Sequence, residues 1–368
     1  MKLKNLSFGL LPLCFSLITH AGTMGESPAH FEVSGAWLYL QPMSNNHTYA
    51  YYVAGEQPFS QSWHAQSVDP SYTSAFELGL LYQFRDSSLG ASVDWIHLSS
   101  KDSASKRGNQ TTQFTNVAFV GPPFDMGPQV FGIRRAETQL KYNYDNVAIN
   151  LEKNFTPSTE RIKAKIMAGI NLLSLKQNFS TTFGNFVGAT TPLTAPLPAD
   201  PNFSFNIHST SKFRGLGPDL GLGGQLELFK GFSLVGTVFG SLNVGQTKVD
   251  EDFRSTSTTL QQNGFAVSRQ QITTPSKTQV VLGFDGKLGL MYQIQTKQVP
   301  NFSVECGYRL ISYLNAISTT SPQNLVETGT TPGLPDFATG TMGIVSAAQQ
   351  DRPFNLNGPY VALKLSVA

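Results

Sequence analysis

Apolar and polar residues alternate along much of this chain with a period of two, the spacing that sends consecutive side chains to opposite faces of an extended strand. From Arg161 to Lys176, residues Ile162, Ala164, Ile166, Ala168, Ile170 and Leu172 share one face, and Lys163, Lys165, Met167, Gly169 and Asn171 share the other. Asp219 to Leu228 sets Leu220, Leu222, Leu226 and Leu228 against Asp219, Gly221, Gly223, Gln225 and Glu227. Val280 to Ile294 repeats the pattern, with Val280, Leu282, Phe284, Leu288, Leu290 and Tyr292 on the apolar face. A helix would scatter these positions at about 100° per residue, so each segment is predicted to be a strand. Fainter alternation over Phe31 to Gln41, Ala75 to Phe84, Gly90 to Ser99, Ala136 to Glu152, Phe232 to Val244, Phe302 to Asn315 and Phe354 to Val367 brings the total to about ten. One segment changes phase. Leu140, Tyr142 and Tyr144 have one parity, and Val147, Ile149 and Leu151 the other. If every apolar side chain belongs on one face, a bulge near Asp145-Asn146 is expected.

The connections alternate as well. Short links fall near Arg85 to Leu89, Lys153 to Glu160, Phe229 to Gly231 and Ile294 to Asn301. Long ones run near Pro42 to Ser74, Ser100 to Arg135, Asn178 to Lys212, Thr247 to Lys277 and Ser318 to Pro353. The long segments are rich in Thr, Asn, Gln, Ser and Pro, and are read as solvated or mutually packed loops. This rhythm predicts an all-β fold, a transmembrane antiparallel up-and-down β-barrel with both chain ends periplasmic and the long loops extracellular. That arrangement requires an even strand count; ten fits, with eight or twelve as alternatives. A soluble β-sandwich would not explain the alternation of short and long links.

Composition narrows this further. With 40% hydrophobic residues, only 14% charged and a mean hydropathy of −0.14, the 368 residues hold no bundle of membrane helices. The first residues carry Lys2 and Lys4, an apolar run from Leu6 to Ile18, and Thr19-His20-Ala21, the layout of a secretory leader. Residues 1–21 are therefore expected to be a cleaved signal peptide, and 22–368 a single outer-membrane barrel domain. The leader takes Lys2 and Lys4 with it, so 26 − 2 = 24 basic side chains balance 24 acidic ones, which removes any electrostatic case for nucleic acid. It also takes Cys14, leaving Cys306 as the sole thiol, so no intramolecular disulfide forms.

With the apolar parity facing lipid, the lumen receives Glu77, Asp94, Asp219, Glu227, Asp285 and Glu305 together with Lys141, Lys163, Lys165, Lys287 and Arg309. Two readings stand side by side: a salt-bridge network that fills the interior, or a narrow polar path for small solutes and ions. Trp37, Tyr39, Phe84, Trp95, Tyr142, Tyr144, Phe155, Phe229, Tyr292, Phe302 and Tyr360 lie near strand ends, where interfacial girdles form. Catalytic chemistry finds no foothold. Gly231-Phe-Ser-Leu-Val-Gly is not a nucleophile elbow, and His47, His64 and His208 lack ligand-like spacing. The glycines after Gly215 do not match a phosphate loop, and no helix pattern follows them. No enzyme activity, cofactor or metal is expected.

Several segments resemble the pore-forming major outer-membrane proteins of Legionella and related bacteria. Gly35-Ala-Trp-Leu-Tyr-Leu-Gln-Pro42 is similar to that family's opening strand, and Phe213-Arg-Gly-Leu-Gly-Pro-Asp-Leu-Gly221 to its central glycine-rich strand. Phe232-Ser-Leu-Val-Gly-Thr-Val-Phe-Gly-Ser-Leu follows as the next strand does, and Leu356-Asn-Gly-Pro-Tyr-Val-Ala-Leu-Lys-Leu resembles the closing one. The resemblance implies a porin-like role in the outer membrane, among its lipids and lipopolysaccharide, with contact to a host surface through the loops. The alternative is a structural or adhesive barrel. The chain ends Leu365-Ser-Val-Ala368, whereas many such barrels end in an aromatic residue read by the barrel-assembly machinery, so weaker recognition by that machinery is expected. The residues do not specify an oligomeric state.

Overall fold

The structure, a computed structural model, describes residues 30–56, 60–85, 88–108, 119–121, 133–155, 161–186, 200–256, 269–294, 301–328 and 341–367. The leader and its expected cleavage site at Ala21 lie outside the described residues. Long antiparallel strands form the wall: β1 (His30–Met43), β4 (Thr73–Gln83), β5 (Leu89–Arg107), β7 (Ile133–Phe155), β8 (Ile162–Phe186), β9 (Asp200–Phe229), β10 (Phe232–Thr256), β12 (Lys277–Ile294), β13 (Asn301–Thr328) and β14 (Thr341–Val367). Each pairs with the next in chain order, and β14 returns to β1 through partners such as Trp37 and Val361. A short strand, β11 (Arg269–Thr273), continues the edge of β10 beyond the reach of β12. Setting it aside from the eleven-stranded sheet leaves a closed ring of ten (11 − 1), as the alternation predicts. A separate three-stranded sheet holds β2 (Thr48–Glu56), β3 (Ser60–Ser67) and β6 (Phe119–Gly121).

The short links and both ends of the described chain sit at one end of the barrel, the turn end. The two-residue turn after β9 is closed by Gly231, whose φ of 83° is a conformation that a side chain disfavours. The opposite, loop end differs from expectation. Much of what reads as loop is wall: β5 runs to Arg107, β8 to Phe186, β10 to Thr256, and β9 begins at Asp200. Inward glycines let this narrow wall curve, since a Cβ on Gly307 would strike the Leu288 and Gly289 backbone of the neighbouring strand.

The outer surface carries a belt of exposed apolar side chains, among them Val33, Leu80, Ile149, Ile170, Leu220, Leu222, Val238, Leu288 and Leu363. Aromatics rim it: Phe84, Phe155, Phe229 and Tyr292 at the turn end, Trp37, Tyr39, Tyr72 and Phe76 at the other. Three residues expected in these girdles face inward instead. Tyr142, Tyr144 and Tyr360 are 0%, 0% and 1% exposed.

That result also removes the expected bulge near Asp145-Asn146. Strand β7 pairs without a register shift across both neighbours in this stretch, from Lys141 opposite Asn178 to Leu151 opposite Ala168. Leu140, Tyr142 and Tyr144 point into the barrel, while Val147, Ile149 and Leu151 point out, with parity unbroken. What changes is the surroundings. Within the belt the outside is apolar and the inside polar; beyond it the outside meets water and the inside is an apolar core of Leu38, Leu40, Leu98, Leu173, Phe213, Tyr313 and Phe354. Polarity inverts along a straight strand because the solvent does.

The inversion sets a measurable contrast. Leu222→Arg places a charge in the belt and should cost about 2–4 kcal/mol of refolding stability in lipid vesicles, with urea titration as the readout. Ser103→Arg, equally outward but beyond the belt on β5, should stay within about 0.5 kcal/mol. Equal costs would contradict the assignment of the belt.

Candidate functional site

The inward faces build two storeys inside the ring. Towards the turn end lies a polar chamber of about 160 Å³, lined among others by Glu77, Asp94, Asp219, Asp285, Lys287 and Arg309. One wall is an ion network. Arg309 forks onto Asp285, its Nε and Nη2 donating at 3.0 and 2.6 Å, and its Nη1 lies 2.8 Å from Glu77 Oε1. Lys364 Nζ sits 2.6 Å from Glu305 Oε2, and Glu305 Oε1 accepts the Tyr360 hydroxyl at 2.6 Å. Lys287 lies between Glu77 and Glu305 at 3.5 and 3.8 Å and over the Tyr360 ring at 4.6 Å. Across the chamber, Lys165 reaches Glu152 at 2.8 Å. On the remaining wall Asn150 and Asp219 keep buried polar atoms with no hydrogen-bond partner among the described residues.

Of the charges assigned to the lumen, Glu77, Asp94, Lys165, Asp219, Asp285, Lys287, Glu305 and Arg309 meet there. Lys163 and Glu227 have inward parity but are exposed, beside the turn end. Lys141 is the correction: it points outward from β7, beside Lys176 and Lys212, because the phase change suggested by its apolar neighbours does not exist. Glu152 and Lys364 belong to the site but were not singled out, and Tyr360, expected in a girdle, belongs to it too. The same parity marks all three, Lys364 between Leu363 and Leu365 and Glu152 beside Leu151.

Towards the loop end the lumen is roofed. Tyr144 of β7 and Tyr313 of β13 occupy opposite positions of the ring, and their hydroxyls meet at 3.1 Å. Asn146 donates to the same Tyr313 hydroxyl at 3.1 Å, and Phe354 packs on Tyr142 and Tyr144 with ring centroids 5.1 and 5.9 Å apart. From the connection after β1, His47 Nε2 lies 2.6 Å from the Tyr142 hydroxyl, which also accepts from Gln177 at 2.7 Å. Burial holds the His47 imidazole down at about 4, so it is neutral at neutral pH.

A strap completes the roof. At Asn315, with φ of 60°, β13 kinks, its pairing with β14 slips between Tyr313 and Ile317, and Gln279 pins the Asn315 carbonyl at 2.6 Å. The chain then leans inward onto β9 and β10. The Ser318 amide donates to Ser211 Oγ at 3.0 Å, and the Thr320 amide to Glu251 Oε1 at 3.0 Å, with Ser209 Oγ donating to the same oxygen at 3.1 Å. Ile317 and Ser318 are fully buried. Glu251 lies beyond the belt, and burial outweighs these hydrogen bonds, raising its carboxyl to about 7. The groups against it are uncharged: Ser209 from β9, Ile272 opposite it on β11, Thr320 from β13.

Two outcomes follow. Arg309→Met strands Glu77 and Asp285 in a buried site, so the refolding midpoint in urea should drop by the equivalent of about 3–5 kcal/mol. For Glu251, a raised pKa means the docked strap is fully stabilised below the ordinary glutamate value and loses that contribution as pH rises towards 7. Hydrogen-exchange protection of the Thr320 amide, corrected for intrinsic rates, should therefore fall between pH 5 and 8, and Glu251→Gln should flatten the profile. A profile unchanged by that substitution would remove Glu251 as its cause.

The family model described as the Legionella pneumophila major outer membrane protein precursor matches residues 23–367. No curated protein matches the chain. Among solved structures, the outer membrane protease OmpT from Escherichia coli is similar at 12% identity over 94% of this chain and 98% of its own, with a TM-score of 0.41. A Pseudomonas aeruginosa FadL homologue is similar at 6% identity over 92% and 90%, TM-score 0.24. The Pseudomonas putida toluene transporter TodX is similar at 7% identity over 93% and 90%, TM-score 0.19. Likenesses of this degree carry no argument about activity.

Proposed function

We propose, from the premise that this chain belongs to the Legionella pneumophila major outer membrane protein family, that it passes small hydrophilic solutes or ions across the bacterial outer membrane through its lumen. In this reading the turn end faces the periplasm and the loop end faces outward. The observation that supports passage is the chamber, a polar space within the apolar belt whose lining mixes carboxylates with Lys165, Lys287, Arg309 and Lys364. A barrel that served only as an anchor has no need of a polar space there. The roof at Tyr144 and Tyr313 closes that space towards the loop end, so passage is gated: the conducting state is one in which roof and strap have moved. The role is transport, not catalysis.

Reconstitution in planar bilayers tests this. The natural chain should give brief, infrequent conductance steps, and Tyr144→Ala with Tyr313→Ala should raise the open fraction at least several-fold, since it deletes the hydroxyl contact spanning the ring. A silent bilayer with both proteins, each shown to be folded by heat-modifiable gel migration, would sink the channel reading.

A second reading, a surface barrel that binds a partner, draws on the separate sheet of β2, β3 and β6, where Trp63 is 56% exposed beside Tyr51. Trp63→Ser separates the two: binding to host cells lost while conductance persists would favour it. Deletion of 178–212 would not, because that span contributes wall to β8 and β9.

A further inference from the structure

Beyond the belt, half of the barrel's outer surface carries a row of cations in excess of the anions beside them. On β8, β9 and β10, residues Lys176, Lys212 and Lys248 are direct cross-strand partners, Lys176 opposite Lys212 and Lys212 opposite Lys248. On β5 and β7, Lys101 faces Lys141 in the same way, and Arg214 stands next to Lys212 along β9. Like charges placed directly opposite each other destabilise a sheet, so this register is unfavourable unless something outside the chain neutralises it. Internal compensation is slight. Asp250 pairs with Lys248 at 3.0 Å and Asp145 with His97 at 2.8 Å, while Lys101, Lys141, Lys176, Lys212 and Arg214 have no ion pair among the described residues.

Position selects the partner. Leu172, Leu216 and Val244, the last apolar outward residues of β8, β9 and β10, lie mutually opposite and four residues before Lys176, after Lys212 and before Lys248 respectively. At about 3.3 Å per residue along tilted strands, the lysines stand roughly 10 Å beyond the hydrocarbon edge, within reach of headgroup phosphates by their flexible stems. The same arc lacks the aromatic rim found on β1, β4 and β5, where Trp37, Phe76 and Trp95 stand at the belt's edge. Lys141, Lys176 and Lys212 also share one shallow outer depression of about 290 Å³ with Asn178, His208 and Thr210, which offer hydrogen bonds beside the charge, and with a single carboxylate, Asp250, which Lys248 engages.

We infer that this row is a docking site for the phosphates of a glycolipid headgroup in the outer leaflet, the lipid A part of lipopolysaccharide, and that bound phosphate holds the lysine ladder in register. The inference rests on the reading of the chain as an outer-membrane barrel with its loop end outward.

The test uses the folded full chain in detergent micelles with purified diphosphorylated lipid A, followed by native mass spectrometry. The triple variant Lys176→Gln, Lys212→Gln, Lys248→Gln should bind on the order of 100-fold more weakly, about fivefold for each cation removed. Lys153→Gln with Lys230→Gln, at the turn end, should bind as the natural chain does. Dephosphorylated lipid A should bind the natural chain only as weakly as it binds the triple variant. Equal retention of lipid A by the natural chain and the triple variant would overturn the inference, as would displacement by millimolar inorganic phosphate, which would mark a simple anion site. Heat-modifiable migration of the same samples separates the two failures: lost lipid binding with migration intact bears on the lysine row, whereas a natural chain that never migrates as a folded barrel removes the outer-membrane reading and this inference with it.

Discussion

Hydrocarbon offers a peptide group nothing to bond, so every backbone N–H and C=O that crosses the belt must find its partner within the chain. Strands satisfy this only if the sheet has no edge, and the pairing of β14 with β1 closes the ring. Everything else hangs on that closure. It fixes each side chain as inward or outward, and with only ten strands it brings inward residues of opposite walls into contact, as Tyr144 and Tyr313 are. The interior must then be chemically self-consistent, because its occupants face one another rather than bulk solvent.

Parity is a property of the strand, but polarity is a property of what surrounds it, and the difference decides what can be read from residues alone. The belt was legible: Ile162 to Leu172 and Leu220 to Leu228 alternate because lipid lies on one side and a wet chamber on the other. All ten wall strands fall where the alternation puts them. Beyond the belt the contrast reverses, and a rule that equates apolar with outward then misplaces residues. It sent Lys141 inward, put Tyr142 and Tyr144 in the girdles, and demanded a bulge in a regular strand. Where β8, β9 and β10 extend past the belt, outward Lys176, Lys212 and Lys248 alternate with inward residues that include Gln177 and Ser211, so the wall reads as polar loop.

The lumen shows the same division. Its charges were visible because buried ions on a strand stand out against apolar neighbours. The roof was not, since it is assembled from long-range contacts: His47 from the connection after β1, Gln177 from β8, and a strap that begins at a kink in β13. No periodicity marks a residue whose partner lies about a hundred positions away. The glycines of β9 and β13 were legible in kind, as small residues that relieve a curved wall, and Gly307 meets its neighbour as that reading requires.

If the lumen opens as proposed, magnitudes indicate which of the two storeys yields. Removing one partner from a buried, hydrogen-bonded ion cluster costs about 3–5 kcal/mol, because the ions left behind remain desolvated. Arg309 is held by Glu77 and Asp285 at once, and each member of the cluster sits on a strand laddered on both sides. The strap is held differently. It pairs with β14 on one side, but on the other its Ser318 and Thr320 amides bond to side chains of β9 and β10, contacts worth about 1 kcal/mol each in net terms, and its turn at Asn315 breaks the register. Released into water at the loop end, those amides find new partners at once, whereas a freed Arg309 would find only the same narrow chamber. In the proposed channel reading the ion cluster would shape the passage while the strap and the tyrosines beneath it control access, the first held by strands laddered on both sides and the second by a segment that pairs with β14 on one side only.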